Sequence, residues 1–130
     1  CIASESTLNK YQISFIYHVE EYLKTLDLVE SMEGKMFVPS HVQPAEDIKE
    51  LVRLNRAKVY EIADKIMEFL KEPMTTEELL KRIFDVYGLA MSFEQYVLVG
   101  STLRSYLSWL KDQGKIAVEF RENYLYWKVV

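Results

Sequence analysis

The sequence predicts a mainly α-helical protein with a small β-hairpin at its C-terminal end. Three observations support this class. Over most of the chain, apolar residues recur every three or four positions, as they do along the buried face of a helix. Two segments carry the Thr/Ser-x-x-Glu/Gln pattern that caps the first turn of a helix. Residues 115–129 alternate apolar and polar side chains with the period that a strand requires.

Composition is typical of a globular domain. The chain has 130 residues, of which 49% are hydrophobic and 28% charged. Its 16 basic and 20 acidic residues leave a net charge of −4, which argues against wholesale nucleic-acid binding. No apolar run approaches the roughly 18 residues of a membrane span, and no signal peptide is visible. One cysteine excludes an internal disulfide framework and a multi-cysteine zinc site, so we expect a cytoplasmic, reducing setting without a membrane partner.

The first half of the chain predicts a helix, a strand and a further helical stretch. The first helix is predicted over 15–31, because its apolar residues recur at helical spacing, and Gly34 is its candidate cap. Residues 35–39 predict a buried strand, which needs pairing partners that this chain does not supply. After a turn at 40–44, helical periodicity continues to Pro73, as one helix or as two broken near Asn55.

The second half is predicted to form a winged helix-turn-helix. A capping box at Thr75 and Glu78 opens a helix that ends at Gly88, and a second one opens a helix over 93–113. Strands at 115–120 and 124–129 flank a turn at 121–123. The order helix, helix, helix, hairpin is that of a winged helix, which we place over 59–130.

The predicted third helix, 93–113, would read DNA in a DNA-binding winged helix. Residues 60–130 carry nine basic residues against eleven acidic ones, and the first half of this helix is apolar with Glu94 as its one charge. Because phosphate neutralisation dominates nucleic-acid affinity, we expect this surface to serve packing or dimerisation instead. The aromatic residues of the hairpin, Tyr124, Tyr126 and Trp127, fit cross-strand packing better than base stacking.

Few residues are candidates for chemistry, and no catalytic residue is assigned. Cys1 has no scaffold to hold a nucleophile's geometry, and His18 is expected to be a surface histidine. There is no glycine-rich phosphate loop and no distinctive carboxylate pair. His41 differs, because it directly follows the predicted strand and precedes a helix. In layered α/β folds, active sites are commonly found at the carboxyl ends of strands.

Residues 36–44 resemble the late metal-ligand motif of metallo-β-lactamase-fold hydrolases, in which a strand ends in a Pro-Gly-His-Gly-x-Pro-like turn. The acidic helix at 45–51 and the preceding helix at 16–26, with its Tyr-Leu-x-Thr-Leu pattern, are also similar to that family. Some members append a winged-helix-like segment, as this chain does at 60–130. The resemblance implies that His41 binds the second metal. It also implies that residues 1–58 are the helix-strand-helix remnant of an αββα metallo-hydrolase domain.

The chain departs from the family in two respects. Ser40 and Val42 stand where glycines usually flank the histidine, and the main metal motif, His-x-His-x-Asp-His, is absent. Zinc catalysis needs about three protein ligands and an open position. The resemblance therefore implies that zinc or another divalent metal belongs to a full-length parent. This chain alone is expected to bind none and to be catalytically incomplete.

The expected partners follow from this interpretation. The start at Cys1 without a methionine fits either a processed end or the C-terminal part of a longer protein, and we expect the second. The partners would then be the N-terminal catalytic half of the same protein and further copies of the chain, because the strand at 35–39 would pair between chains. The alternative is a free-standing winged-helix module that binds DNA or protein.

Overall fold

The structure, a computed structural model, describes residues 3–5, 8, 13, 15–31 and 48–130. These residues form four helices, α1 (Val19–Ser31), α2 (Ile48–Phe69), α3 (Thr76–Val86) and α4 (Phe93–Asp112), and two strands, β1 (Ile116–Arg121) and β2 (Tyr124–Val129). The prediction of a mainly helical chain with a small antiparallel hairpin is confirmed. The predicted strand at 35–39 and His41 lie outside the described residues.

The start of α1 differs from the prediction. The sequence places it at residue 15, whereas α1 begins at Val19. His18 ends the preceding non-helical segment 15–18, because its carbonyl accepts the Tyr22 N–H at 3.0 Å and its Nδ1 accepts the Glu21 N–H at 3.3 Å. Ile16 is buried like a residue of the helix, yet it packs from this non-helical segment. Apolar spacing alone therefore extended the predicted helix too far.

Helix α2 is one unbroken helix, which settles the alternative that the sequence left open at Asn55. The Asn55 side chain is buried, and its Nδ2 donates to the carbonyl of Leu51 at 2.8 Å, one turn earlier in the same helix. Its remaining bonds go to other segments. Asparagine disfavours helix interiors when its amide competes for local backbone groups, and here tertiary partners satisfy the amide instead. The predicted boundary after residue 58 falls within α2, and it stays a prediction.

The caps of α3 and α4 lie where the sequence places them. Thr75 Oγ1 accepts the Glu78 N–H at 3.2 Å while the Glu78 carboxylate accepts the Thr75 N–H at 3.1 Å, which completes the capping box. Ser92 Oγ accepts the Gln95 N–H at 3.1 Å at the start of α4. Gly88 closes the segment after α3 with a positive φ of 65°, which favours glycine.

The hairpin joins the helices through a short third pairing. Strands β1 and β2 pair antiparallel from Ile116 with Val129 to Arg121 with Tyr124, around a turn in which both residues have positive φ, as a type I′ turn requires. Between α2 and α3, Met74 exchanges two backbone hydrogen bonds with Trp127, of 3.0 and 2.7 Å. The hairpin is thereby tied to the loop that precedes α3.

Two apolar clusters form the core. The larger includes side chains from α1, all the later helices and Ile116 of β1, with Ile66, Leu79 and Leu107 among the most completely buried. The smaller joins α1 to α2 through Leu26, Val29, Leu51 and Val52. Burying one such side chain contributes about 1.5–3 kcal/mol. The large cluster therefore holds the helices in fixed positions relative to α4, whose outer face carries the candidate site.

Candidate functional site

Helix α4 exposes large apolar side chains near its N-terminal end. Phe93 is 81% exposed, Val97 45% and Leu98 46%, and Met91, just before the helix, is 53% exposed. We call these four residues the α4 apolar patch. Phe93 and Val97 are one helical turn apart and therefore lie side by side on the surface. Single exposed apolar residues are ordinary, whereas several near one helix end make this surface a candidate for binding another protein.

Local interactions hold the patch in place. Ser92 caps the helix, so Phe93 occupies the first helical position. The Tyr96 hydroxyl donates to the Glu77 carboxylate, which links the first turn of α4 to α3. This bond and the nearby negative charge raise the pKa of Tyr96, so the hydroxyl remains protonated and can keep donating. The hydrogen bond between Tyr96 and Glu77 therefore helps to hold the first turn of α4, which carries the patch, in place against α3.

The charges near the patch do not suit a phosphate backbone. Within residues 93–103 the one charged residue is Glu94, and the first basic residue of α4 is Arg104. On the hairpin, Arg121 pairs with Glu119 at 2.7 Å and lies over the ring of Tyr126 at 5.1 Å. Phosphate binding draws on Lys and Arg side chains, and the first half of α4 offers none.

A groove lies beside the second half of α4. It encloses about 270 Å³ and is lined by residues of the segment before α1, the first turn of α1 and the outer face of α4: Tyr17, His18, Val19, Glu20, Arg104, Ser105, Ser108, Trp109 and Asp112. Two hydrogen bonds join α4 to the segment that forms the other side of the groove. Thr102 Oγ1 accepts the Ile16 N–H at 3.2 Å, and Ser105 Oγ donates to the Tyr17 carbonyl at 2.6 Å. The non-helical segment 15–18 therefore lies against α4.

His18 has a structural role that sequence reasoning missed. It is exposed, as expected for a surface histidine, but its side chain caps α1 and lines the groove. The hydrogen-bond partners of Ile16 and Tyr17, just before it, are more than 80 positions away in sequence. The one sequence signal for this contact is a pair of hydroxyl residues one turn apart, Thr102 and Ser105, on a largely apolar helix.

A buried polar junction joins α1 to α2. Asn55 binds both backbone groups of Ala3: its Oδ1 accepts the N–H at 3.0 Å and its Nδ2 donates to the carbonyl at 2.8 Å. The Tyr22 hydroxyl donates to the same Oδ1 at 2.9 Å. Burial raises the pKa of Tyr22 to about 12, so this hydroxyl stays protonated at neutral pH. The groups of this junction are therefore all uncharged, and their hydrogen bonds hold Ala3 and α1 against α2.

A second polar cluster lies between α2 and the end of α3. Glu61 Oε2 accepts from Lys58 Nζ at 2.9 Å and from the Tyr87 hydroxyl at 3.1 Å. The hydrogen bond from Lys58 lowers the pKa of Glu61, and the Tyr87 hydroxyl lowers it further. Burial and the Glu61 charge raise the pKa of Tyr87. Each group is therefore stabilised in its ordinary charge state, which is typical of a structural contact rather than of an acid–base pair.

The predicted metal ligand, His41, and the rejected nucleophile, Cys1, lie outside the described residues. Over residues 15–31 and 48–130, and the few described residues before them, no three His, Cys, Asp or Glu side chains come together in an arrangement that could hold a metal ion. These described residues therefore do not fit a metal ion on their own.

Two comparisons with known proteins identify no relative of the chain. Neither a scan of protein-family models nor a search of curated protein sequences finds a significant match to the chain. None of the helices that the described residues form combines the length and apolar character needed to cross a bilayer.

Proposed function

We propose that the chain is the C-terminal region of a metallo-β-lactamase-superfamily hydrolase, with a winged-helix-like appendage over residues 59–130. The appendage would serve packing against other protein or dimerisation, and the chain alone would not be catalytically complete. The observation that carries the role of the appendage is the α4 apolar patch. It occupies the part of the helix where a DNA-reading winged helix would present polar and basic side chains.

The element order supports the winged-helix assignment. Helices α2, α3 and α4 precede the hairpin, in the order typical of this fold. The exchange of backbone hydrogen bonds between Met74 and Trp127 adds a short third strand position between α2 and α3. A wing attached in this way is held against the helices rather than extending freely into solvent.

The hydrolase assignment rests on the resemblance of residues 36–44 and on the path of α2. This helix begins at Ile48, seven positions after His41, and continues without a break to Phe69, within the proposed appendage. In the proposed parent, one helix would therefore link the region that follows His41 to the appendage. In the parent protein, His41 would be one metal ligand, and the metal would supply an activated water for hydrolysis.

Metal analysis of the full-length gene product tests the hydrolase assignment. We expect bound zinc, iron or manganese in the parent, a reduced metal content in its His41→Ala variant, and none in this chain alone. His18→Ala is the matched control and should leave the metal content unchanged, because His18 caps α1. A parent without metal, or one whose His41→Ala variant keeps its full content, would contradict the assignment.

A free-standing winged-helix module that binds DNA is the second candidate function. It is favoured by the tip of the hairpin, where Phe120 and Tyr124 are exposed beside Arg121. Fluorescence anisotropy with a duplex of about 20 base pairs, at two salt concentrations, tests it. Salt-dependent binding that is lost in Arg121→Ala would support this candidate. We expect no binding, because acidic residues outnumber basic ones over 60–130.

A further inference from the structure

The exposed face of α4 has two halves of different character. The first half carries the α4 apolar patch and Glu94, whereas the second half carries Arg104 and the groove. Glu94 and Arg104 are separated by ten positions, or about 15 Å along a helix. An apolar projection at one end of a helix and a groove at the other end give this face the two parts of a self-complementary interface.

The exposed charged residues of α4 also include Lys111 and Asp112, but two of them flank the α4 apolar patch and the groove, namely Glu94 and Arg104. Within the part of the chain that the structure describes, neither Glu94 nor Arg104 makes an ion pair, although many other exposed charges of the helices do. Both side chains are exposed. Each therefore remains available to a charge of opposite sign on a partner.

Antiparallel pairing of two copies of α4 brings these parts together. When two identical helices pack antiparallel about a two-fold axis, residues equally distant from the axis lie opposite each other. When the axis passes the exposed side of the helix at the height of Val99, whose own side chain faces the core, Glu94 of one copy lies level with Arg104 of the other, and Phe93 lies level with Ser105. Because Ser105 lines the groove, Phe93 would enter the partner's groove beside Tyr17.

We propose that this face binds a second copy of the chain, through antiparallel packing of the two α4 helices. Phe93 of each copy fills the groove of the other, and two symmetric Glu94–Arg104 ion pairs fix the register. This inference rests on the proposed role of the appendage in dimerisation, and it names the partner and the contacts. An apolar anchor in a pocket supplies most of the affinity in such interfaces, while flanking charges select the partner.

Charge reversal tests the register. Glu94→Arg and Arg104→Glu each place two like charges opposite each other in a homodimer. Each should therefore weaken dimerisation by about tenfold or more, as measured by sedimentation equilibrium. The double variant E94R/R104E restores both pairs and should dimerise like the original chain. An equimolar mixture of the two single variants should also dimerise, because every pair in the heterodimer is complementary.

Controls separate this effect from folding and from net charge. Lys115→Glu makes the same charge change as Arg104→Glu at an exposed position outside α4 and should leave dimerisation unchanged. Phe93→Ser should abolish dimerisation. At concentrations where the original chain is monomeric it should have the same thermal midpoint as the original chain, because Phe93 lies in solvent in a single copy. The far-UV circular dichroism of each variant should match that of the original chain.

Several outcomes would overturn the inference. One is a chain that stays monomeric at concentrations up to about 1 mM. Another is a pair of single reversals without effect, or a double variant that does not recover. The metal content of the parent is independent of these measurements. A monomeric chain from a metal-binding parent would therefore refute the dimer alone, and a dimer from a metal-free parent would refute the hydrolase assignment alone.

Discussion

Two buried polar side chains, Asn55 and Tyr106, have opposite hydrogen-bonding environments. The Asn55 side chain makes four hydrogen bonds: its Oδ1 accepts two, and its Nδ2 donates two. The Tyr106 hydroxyl is buried and has no hydrogen-bond partner among the described residues. Burial is also the main reason that the pKa of Tyr106 is raised. Because an unpaired buried polar group costs free energy, substitution should affect these two residues differently.

Replacing Asn55 should be strongly destabilising. Asn55→Leu keeps a side chain of similar size but leaves the backbone groups of Ala3 and the Tyr22 hydroxyl without their partner. We expect the free energy of unfolding, measured by urea denaturation, to fall by about 1–3 kcal/mol. Tyr22→Phe removes one of the same bonds and should cost less. An Asn55→Leu variant as stable as the original chain would show that the junction contributes nothing.

Removing the Tyr106 hydroxyl should not be destabilising. Tyr106→Phe keeps the ring and its edge-on contact with Trp109, whose centroid lies 6.5 Å away, and removes the unpaired group. We expect the free energy of unfolding in urea to stay the same or to rise by up to about 1 kcal/mol. A loss greater than that would mean that the hydroxyl is hydrogen-bonded in solution.

At the scale of single elements, the helix caps fix the positions at which α3 and α4 begin. In the capping box of α3, Thr75 and Glu78 satisfy two backbone N–H groups that the helix itself leaves unpaired. The hydrogen bonds from the Thr75 backbone and hydroxyl lower the pKa of Glu78. A carboxyl whose pKa is lowered by folding stabilises the folded state above its unfolded pKa, and this contribution is lost as the pH falls.

Glu78 should therefore make stability depend on pH. Its contribution is complete above the ordinary glutamate value of 4.5 and disappears as the pH falls through the lower value of the folded state. In Glu78→Gln we expect a lower thermal midpoint at pH 7 and a smaller further decrease on going to about pH 3. Glu122→Gln, at an exposed turn, is the matched control. Parallel pH profiles for Glu78→Gln and the original chain would contradict this role of the cap.

At the scale of the whole molecule, one apolar cluster connects elements from both halves of the sequence. It includes Val19 of α1, Trp109 of α4 and Ile116 of β1. The pairing of Met74 with Trp127 attaches the hairpin to the same body. Elements that share one core are expected to unfold together rather than one after another.

The two tryptophans provide a test of this cooperativity, because Trp109 lies in the core and Trp127 in the hairpin. In Trp109→Phe and Trp127→Phe, the remaining tryptophan reports on one region while far-UV circular dichroism reports on the helices. We expect both signals to give the same urea midpoint within each variant. A hairpin signal that changes at lower urea than the circular dichroism would show that the wing unfolds separately.

The amino-acid sequence by itself determined the helices from α2 onward, the two capped starts and the hairpin. These features depend on local rules, since apolar periodicity, a cap three residues from its partner and a short turn involve neighbouring residues. The candidate surface was also partly predictable, because the apolar first half of α4 and its lack of basic residues can be read directly from residues 93–103.

The tertiary structure alone decided where α1 begins, that α2 passes through Asn55 without a break, and that a groove lies beside Arg104. Hydrogen bonds between distant residues contribute to each of these features, as Ile16 joins Thr102 and Ala3 joins Asn55. The cap of α1 by His18 is local, but the segment that carries His18 is fixed by its contacts with α4. No local pattern specifies such partners, because a hydroxyl or an amide side chain accepts any backbone group that packing brings within reach. Packing of the shared core determines which segments come together, and that packing depends on the whole chain.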